Sequence, residues 1–243
     1  MKKLTCLILL LTFFAVASTS SAGIWGESVG LSDLSDGRSF YNAHYDPPYS
    51  EGGLQGYWPS VFTIQWDITQ DLATSLWTYE YTIFSAQKDV SHFILEITGG
   101  EAFGEILDPR VHFGSGDWQS VTVDGPRAWD GSNGNSDPDF PDGTSIYGIK
   151  FDTGSNYVTY AFETTRDPVW GNFYAKSGRH NEQWVHVYNN ALALENFDSN
   201  DKLDFIVRPD GGSNPPVVPE PASSVLFLTG GAVFVYRRYI KKA

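Results

Sequence analysis

The densest set of hard oxygen donors lies between Asp130 and Gly143, where Asp130, Asp137, Asp139 and Asp142 stand among Gly, Ser, Asn and Pro. Such a set would suit Ca2+, which gathers several carboxylate and carbonyl oxygens. The spacing is not that of an EF-hand. Counted from Asp130, the sixth position is Asn135 where that loop needs glycine, and the twelfth is Pro141 where it needs a carboxylate. The competing reading is a solvated turn between two strands. Asp198, Asn200 and Asp201 form a smaller set of the same kind. His180, Glu182 and His186 alternate, so one strand over 180–186 would put all three on one face. At ~3.3 Å per residue the two histidines would then stand ~20 Å apart, too far to share a metal.

Aromatic side chains offer a different chemistry. The C–H faces of sugar rings stack on Trp and Tyr, while Asp, Asn and Gln satisfy the hydroxyls. Trp118, Trp129 and Trp170 lie among turn residues, and Tyr41, Tyr45, Tyr49, Tyr57 and Trp58 crowd the N-terminal region. Eight Trp and 13 Tyr are more than one small core needs, so some should be exposed. The alternative is that they cap the ends of the fold. Hydrolytic signatures are missing: the chain has no G-x-S-x-G and no H-E-x-x-H, and Gly114-Ser115-Gly116 reads as a turn. Glu80 and Glu96 fall on expected strands, but a catalytic carboxylate pair is defined by separation in space. The chain is therefore expected to be non-enzymatic, with a secreted hydrolase as the remaining alternative.

The elements that must position these residues read as β. Short alternating runs recur between Gly, Pro, Asn and Asp, and no long segment has a helical period. Phe62, Ile64, Trp66 and Ile68 share one strand face, as do Trp77, Tyr79, Tyr81 and Ile83, and Phe93, Leu95 and Ile97. Further strands are expected over 120–123, 146–152, 157–163, 171–176, 183–188 and 202–208, with a short helix over 190–195. About nine antiparallel strands predict an all-β domain over 23–209, a β-sandwich of jelly-roll-like or Ig-like form. Trp66, Trp77, Phe93, Phe151 and Phe162 are the expected core. The stretch 23–59 reads as a long ordered loop or edge strand. Residues 210–218 read as a linker.

Charge narrows the partners. The chain has 243 residues, 16 basic and 29 acidic, and six of the basic ones lie near its two ends. The middle, 23–221, keeps ten against all 29, a net charge near −19, and contains neither Cys nor Met. Nucleic acid is a poor partner for such a surface. Disulfides and thiolate metal sites are impossible in it.

The ends carry addresses. Residues 1–22 have a basic start at Lys2 and Lys3, an apolar stretch, and small residues at Ser20, Ser21 and Ala22. This is the pattern of a signal peptide cut between Ala22 and Gly23. At the other end, Pro219-Glu220-Pro221 precedes an apolar run to Tyr236 and then Arg237, Arg238, Lys241 and Lys242. As a helix, 222–236 rises only ~22 Å against a hydrocarbon core of ~30 Å. The basic tail should stay cytoplasmic and leave the acidic domain outside.

Tripeptide, apolar run and basic cluster occur in the order of the PEP-CTERM sorting signal of Gram-negative bacteria, which residues 219–243 resemble. Gly230-Gly231 and the short apolar run are departures from it. The resemblance implies an exosortase, a membrane transpeptidase, as partner. It further implies a precursor held transiently in the inner membrane, then a mature protein at the cell surface or in an exopolysaccharide or biofilm matrix. A non-enzymatic matrix protein is the leading expectation, and a carbohydrate-binding module for the secreted polysaccharide is the second.

Overall fold

The structure is a computed structural model that describes residues 24–41, 49–51, 53–97, 106–132, 140–141, 143–193 and 199–210. These residues are nearly all β, in antiparallel sheets. The strands are β1 (Ser35–Tyr41), β2 (Tyr49–Glu51), β3 (Leu54–Tyr57), β4 (Val61–Asp71), β5 (Leu76–Ser85), β6 (Val90–Glu96), β7 (Leu107–Phe113) and β8 (Gln119–Ser120). They continue as β9 (Val123–Trp129), β10 (Ile146–Ser155), β11 (Tyr157–Thr164), β12 (Pro168–Gly171), β13 (Phe173–His180), β14 (Gln183–Asn189) and β15 (Ile206–Pro209). A seven-stranded sheet runs β2-β1-β4-β5-β11-β7-β8, a six-stranded sheet runs β3-β14-β13-β6-β10-β9, and β12 pairs with β15.

Among the described residues there are fifteen strands where about nine were expected, and the reasons are local. β2, β3 and β8 lie at sheet edges, where a strand need not bury one face and leaves no clean alternation, while β1 lies inside the seven-stranded sheet between β2 and β4. The stretch expected as loop or edge strand thus supplies three strands. The run expected as one strand over 171–176 breaks at Asn172, and that over 202–208 begins as a single helical turn, Lys202–Asp204, before β15. The helix expected over 190–195 is described as one turn, Asn190–Ala193.

Alternation explains the long strands. In β4 and β5 the buried residues Phe62, Ile64, Trp66, Ile68, Tyr79, Tyr81 and Ile83 all occupy one phase. Across from them, Phe93, Phe151 and Phe173 rise from the six-stranded sheet. Rings from the two sheets meet directly: Tyr81 and Phe93 at 5.6 Å between centroids, Phe93 and Tyr160 at 5.3 Å, Phe151 and Tyr160 at 4.9 Å. Each such ring adds roughly 1.5–3 kcal/mol by burial, and tilted or offset pairs somewhat more. Four of the five expected core aromatics are fully buried. The fifth, Trp77, sits at the margin and donates its indole N–H to Asp167 at 2.9 Å.

Both ends of the described chain clasp β12. On one side, Gly26 N–H donates to Trp170 O at 2.8 Å and Val29 N–H to Pro168 O at 3.1 Å; on the other lies β15. The domain therefore has no free N-terminal arm from Ile24 onward. Among the described residues no helix is long and apolar enough to cross a membrane. The residues expected to form the signal peptide, the linker and the sorting segment (1–22 and 211–243) lie outside the described residues, as do Gly23 and the sorting motif Pro219, Glu220 and Pro221.

Candidate functional site

The outward faces of the two large sheets differ in how they treat their aromatic rings. On the six-stranded sheet the two outward tryptophans are capped by cations. Trp129 on β9 is fully buried, with the Arg127 guanidinium 3.9 Å and the Lys150 ammonium 5.0 Å from its ring centre, and its indole N–H donates to Gly148 O at 3.1 Å. Trp184 on β14 is covered by Arg179 at 4.4 Å and Lys176 at 5.6 Å. The cations are themselves tied down. Lys150 pairs with Asp152 at 3.1 Å, His92 meets the same carboxylate at 3.0 Å, and Arg127 pairs with Asp124 at 2.8 Å. This face satisfies itself.

The seven-stranded sheet leaves rings open. Trp118, on the loop between β7 and β8, is 42% exposed. The Arg110 guanidinium stands 5.3 Å from its ring centre, and the His112 ring meets it edge-on at 4.5 Å. The indole is thus held in place while much of it faces solvent. Arg110 is in turn positioned by Asp108 and, at 3.5 Å, by Glu163. Across β11, Phe84 and Tyr157 stand opposite each other in register and form an edge-on pair at 6.0 Å, each more than a third exposed. The inward phase is buried at Tyr79, Tyr81 and Ile83 on β5 and at Val158, Tyr160 and Phe162 on β11, and on the Tyr157 phase of β11 the small residues Thr159 and Ala161 are buried as well. Phe84 and Tyr157 therefore occupy the polar phase.

Between these aromatics the register sets a polar row: Gly37 on β1, Gln65 on β4, Thr82 on β5, Thr159 on β11 and His112 on β7. The hydroxyls of Thr82 and Thr159 are hydrogen-bonded at 3.0 Å. At the β1 end the row opens into a groove of about 390 Å³ lined by Ser35, Gly37, Gln65, Asp67, Glu80 and Thr82. Gly37 keeps it open. A Cβ there would come within 2.9 Å of Gln65 Cγ and 3.0 Å of Ile64 O. Beside it, Asp36 has its carboxyl held below the usual range. Partial burial opposes ionisation, but Arg38, the Gly37 N–H and the charge of Lys202 outweigh it.

Of the three tryptophans expected to meet a ligand, only Trp118 is open. Trp129 is enclosed as described, and Trp170, 4% exposed, lies on β12 within the main core. The reason is positional: both sit on strands, where their turn-rich neighbours had suggested loops. The histidine pattern is also corrected. Residues 180–186 are not one strand but a hairpin, because Asn181 and Glu182 both adopt left-handed backbone and pair His180 with Gln183. His186 is buried and stacks between Tyr174 and Tyr188. In the acidic loop, the Asp130 carboxylate accepts the Ser132 N–H at 3.0 Å, as in an ordinary turn. Asp137, Asp139 and Asp142 lie outside the described residues, and among the described ones no group of three His, Cys, Asp or Glu is placed to hold a metal.

Glu96, weighed above as a possible catalytic carboxylate, is buried and spent on structure: its Oε2 accepts the Asn172 N–H at 2.8 Å and the Trp25 indole N–H at 3.2 Å, beside Arg208. Glu80 stands on the outer face, directly opposite Asp67. Phe84, Tyr157, His112 and Gln65 escaped the sequence reading, although Phe84 and Tyr157 carried a signal in being aromatic at the polar phase of alternating strands. Set against family models, curated proteins and solved structures, the chain matches none.

Proposed function

We propose that this chain is an exported, non-enzymatic protein of the cell surface or extracellular matrix, a β-sandwich delivered by an exosortase that reads Pro219-Glu220-Pro221. The observation that carries this reading is the order of motif, apolar run and basic cluster in 219–243, behind a domain that contains no sulfur and is strongly acidic. Freedom from Cys and Met suits an oxidising exterior. A domain whose two ends both clasp β12 can fold as a unit between an N-terminal and a C-terminal apolar segment. Intact mass and location of the protein from its native host test the reading. Replacing Pro219, Glu220 and Pro221 together is expected to hold the precursor in the inner membrane. Appearance of that variant outside at normal size would refute the sorting role.

A second reading, a carbohydrate-binding module, is favoured by one observation: Trp118 is pinned by Arg110 and His112 yet open to solvent, in a face that also exposes Phe84 and Tyr157. The two readings are compatible, since a matrix protein gains from holding the polysaccharide around it.

A further inference from the structure

We infer that the outer face of the seven-stranded sheet is a binding strip for one chain of an uncharged polysaccharide, laid across the strands from Trp118 to the groove at Gly37. The inference rests on the carbohydrate-binding reading and assigns it a place, a direction and a ligand class.

The place follows from the contrast between the sheets. On the six-stranded sheet, Trp129 and Trp184 are occupied by Arg127, Lys150, Arg179 and Lys176. On the seven-stranded sheet Trp118 stays 42% exposed even with Arg110 over its ring, and Phe84 and Tyr157 are exposed as well. A ring already immobilised loses little freedom when a ligand stacks on it, so its contact area converts efficiently into affinity.

The direction follows from register. Gly37, Gln65, Thr82, Thr159 and His112 form one row perpendicular to the strands, in which Thr159 is buried and the other four are at least partly exposed. At about 4.8 Å between neighbouring strands, the row from β1 to β7 is about 19 Å long. Aromatics stand at one end and beside it, and the polar groove lies at the other. A sugar chain along the row would stack at Trp118 and hydrogen-bond at Gln65 and Glu80.

The ligand class follows from charge and polarity. Asp67 and Glu80 face each other across β4 and β5 in the groove, and the domain's net charge is strongly negative, so a polyanion would be repelled. A protein partner is a poor fit, because the centres of protein interfaces are depleted of charged residues and this groove has carboxylates in its lining. Carboxylate, carboxamide and hydroxyl groups beside stacked rings are what neutral sugar hydroxyls and C–H faces require.

Affinity electrophoresis of the full-length chain in detergent tests this, with gels containing dextran, hydroxyethylcellulose, galactomannan or xyloglucan, and alginate as the polyanion. Retardation is expected in at least one uncharged polymer and not in alginate. Trp118→Ala should raise the dissociation constant at least tenfold and Gln65→Ala about threefold. Arg127→Ala, on the opposite sheet, should leave it unchanged. All three residues are at least partly exposed, and melting temperatures confirm that the variants fold. No retardation in any uncharged polymer, retardation in alginate alone, or binding that survives Trp118→Ala and Gln65→Ala would each overturn the strip. Loss of binding in Arg127→Ala would place the site on the wrong sheet for this inference. None of these outcomes touches export, which mass and location decide separately.

Discussion

The Glu96 carboxylate and the Arg208 guanidinium approach to 3.5 Å with both residues buried, and together they fasten β15 to the end of β6. Arg208 also spends Nη1 on Pro209 O at 3.0 Å, and its guanidinium lies 5.5 Å from the Trp25 ring centre. Burial of both charges is costly, and their mutual attraction offsets that cost only while both are present. Glu96→Ala is expected to destabilise the domain by about 3–5 kcal/mol, because it strands the Arg208 charge. The pair Glu96→Leu with Arg208→Met should cost clearly less than Glu96→Ala alone. Urea unfolding of Glu96→Leu, Arg208→Met and their double, beside Glu96→Ala, checks this; additive losses in the cycle would show that the pair is not coupled.

The packing around that pair forbids a side chain at Gly171. A Cβ there would lie 2.0 Å from Arg208 Nε and 2.7 Å from Glu96 Oε2. Both of those groups are buried, so neither can swing away. Gly171→Ala should therefore lower the melting temperature by many degrees, whereas Gly178→Ala, with nothing within 4 Å of the added carbon, should shift it little. A thermal melt of each decides, and equal shifts would contradict the close approach.

Asp36 links acidity to stability at the edge of the proposed strip. Its native carboxyl ionises more readily than in the unfolded chain, since the Arg38 hydrogen bond at 2.8 Å, the Gly37 N–H and nearby positive charge outweigh the opposing effect of burial. A lowered native pKa means that the folded state holds fewer protons than the unfolded one near the titration. The contribution is therefore present at neutral pH and fades as pH falls below the ordinary carboxylate value of about 3.9. Asp36 is 42% exposed at its side chain, so solvent keeps the effect small. Chemical denaturation between pH 6 and pH 2 should show a shallower acid loss for Asp36→Asn than for the parent protein.

How much of this was legible in the sequence depends on which force places a residue. The alternation of Phe62 to Ile68 and Trp77 to Ile83 gave strands and their inner faces, because burial of one face imposes period two. Edge strands such as β2 and β8 escaped, since backbone pairing alone holds them and leaves no pattern. Trp129 and Trp170 read as loop residues from their neighbours, yet tertiary packing buries them. The Glu96–Arg208 pair spans 112 positions and no local signal announces it. Phe84 was the missed clue: one aromatic at the polar phase of β5 marks the open face directly.

That off-phase placement predicts how the Phe84–Tyr157 pair behaves. Both rings keep more than a third of their surface in solvent, so removing either loses less burial than removing a core ring, and an edge-on aromatic pair adds only about 0.5–1.5 kcal/mol. Phe84→Thr and Tyr157→Thr should each cost about 1 kcal/mol or less, for Thr is at ease in a strand and neighbours Thr82 and Thr159 on that face. Phe62→Ala, in the same sheet but fully buried, should cost about 3–5 kcal/mol. A double-mutant cycle by urea denaturation separates the terms. If Phe84→Thr proved as damaging as Phe62→Ala, the ring would be a packing element, and the outer face would lose its claim to be open for a ligand.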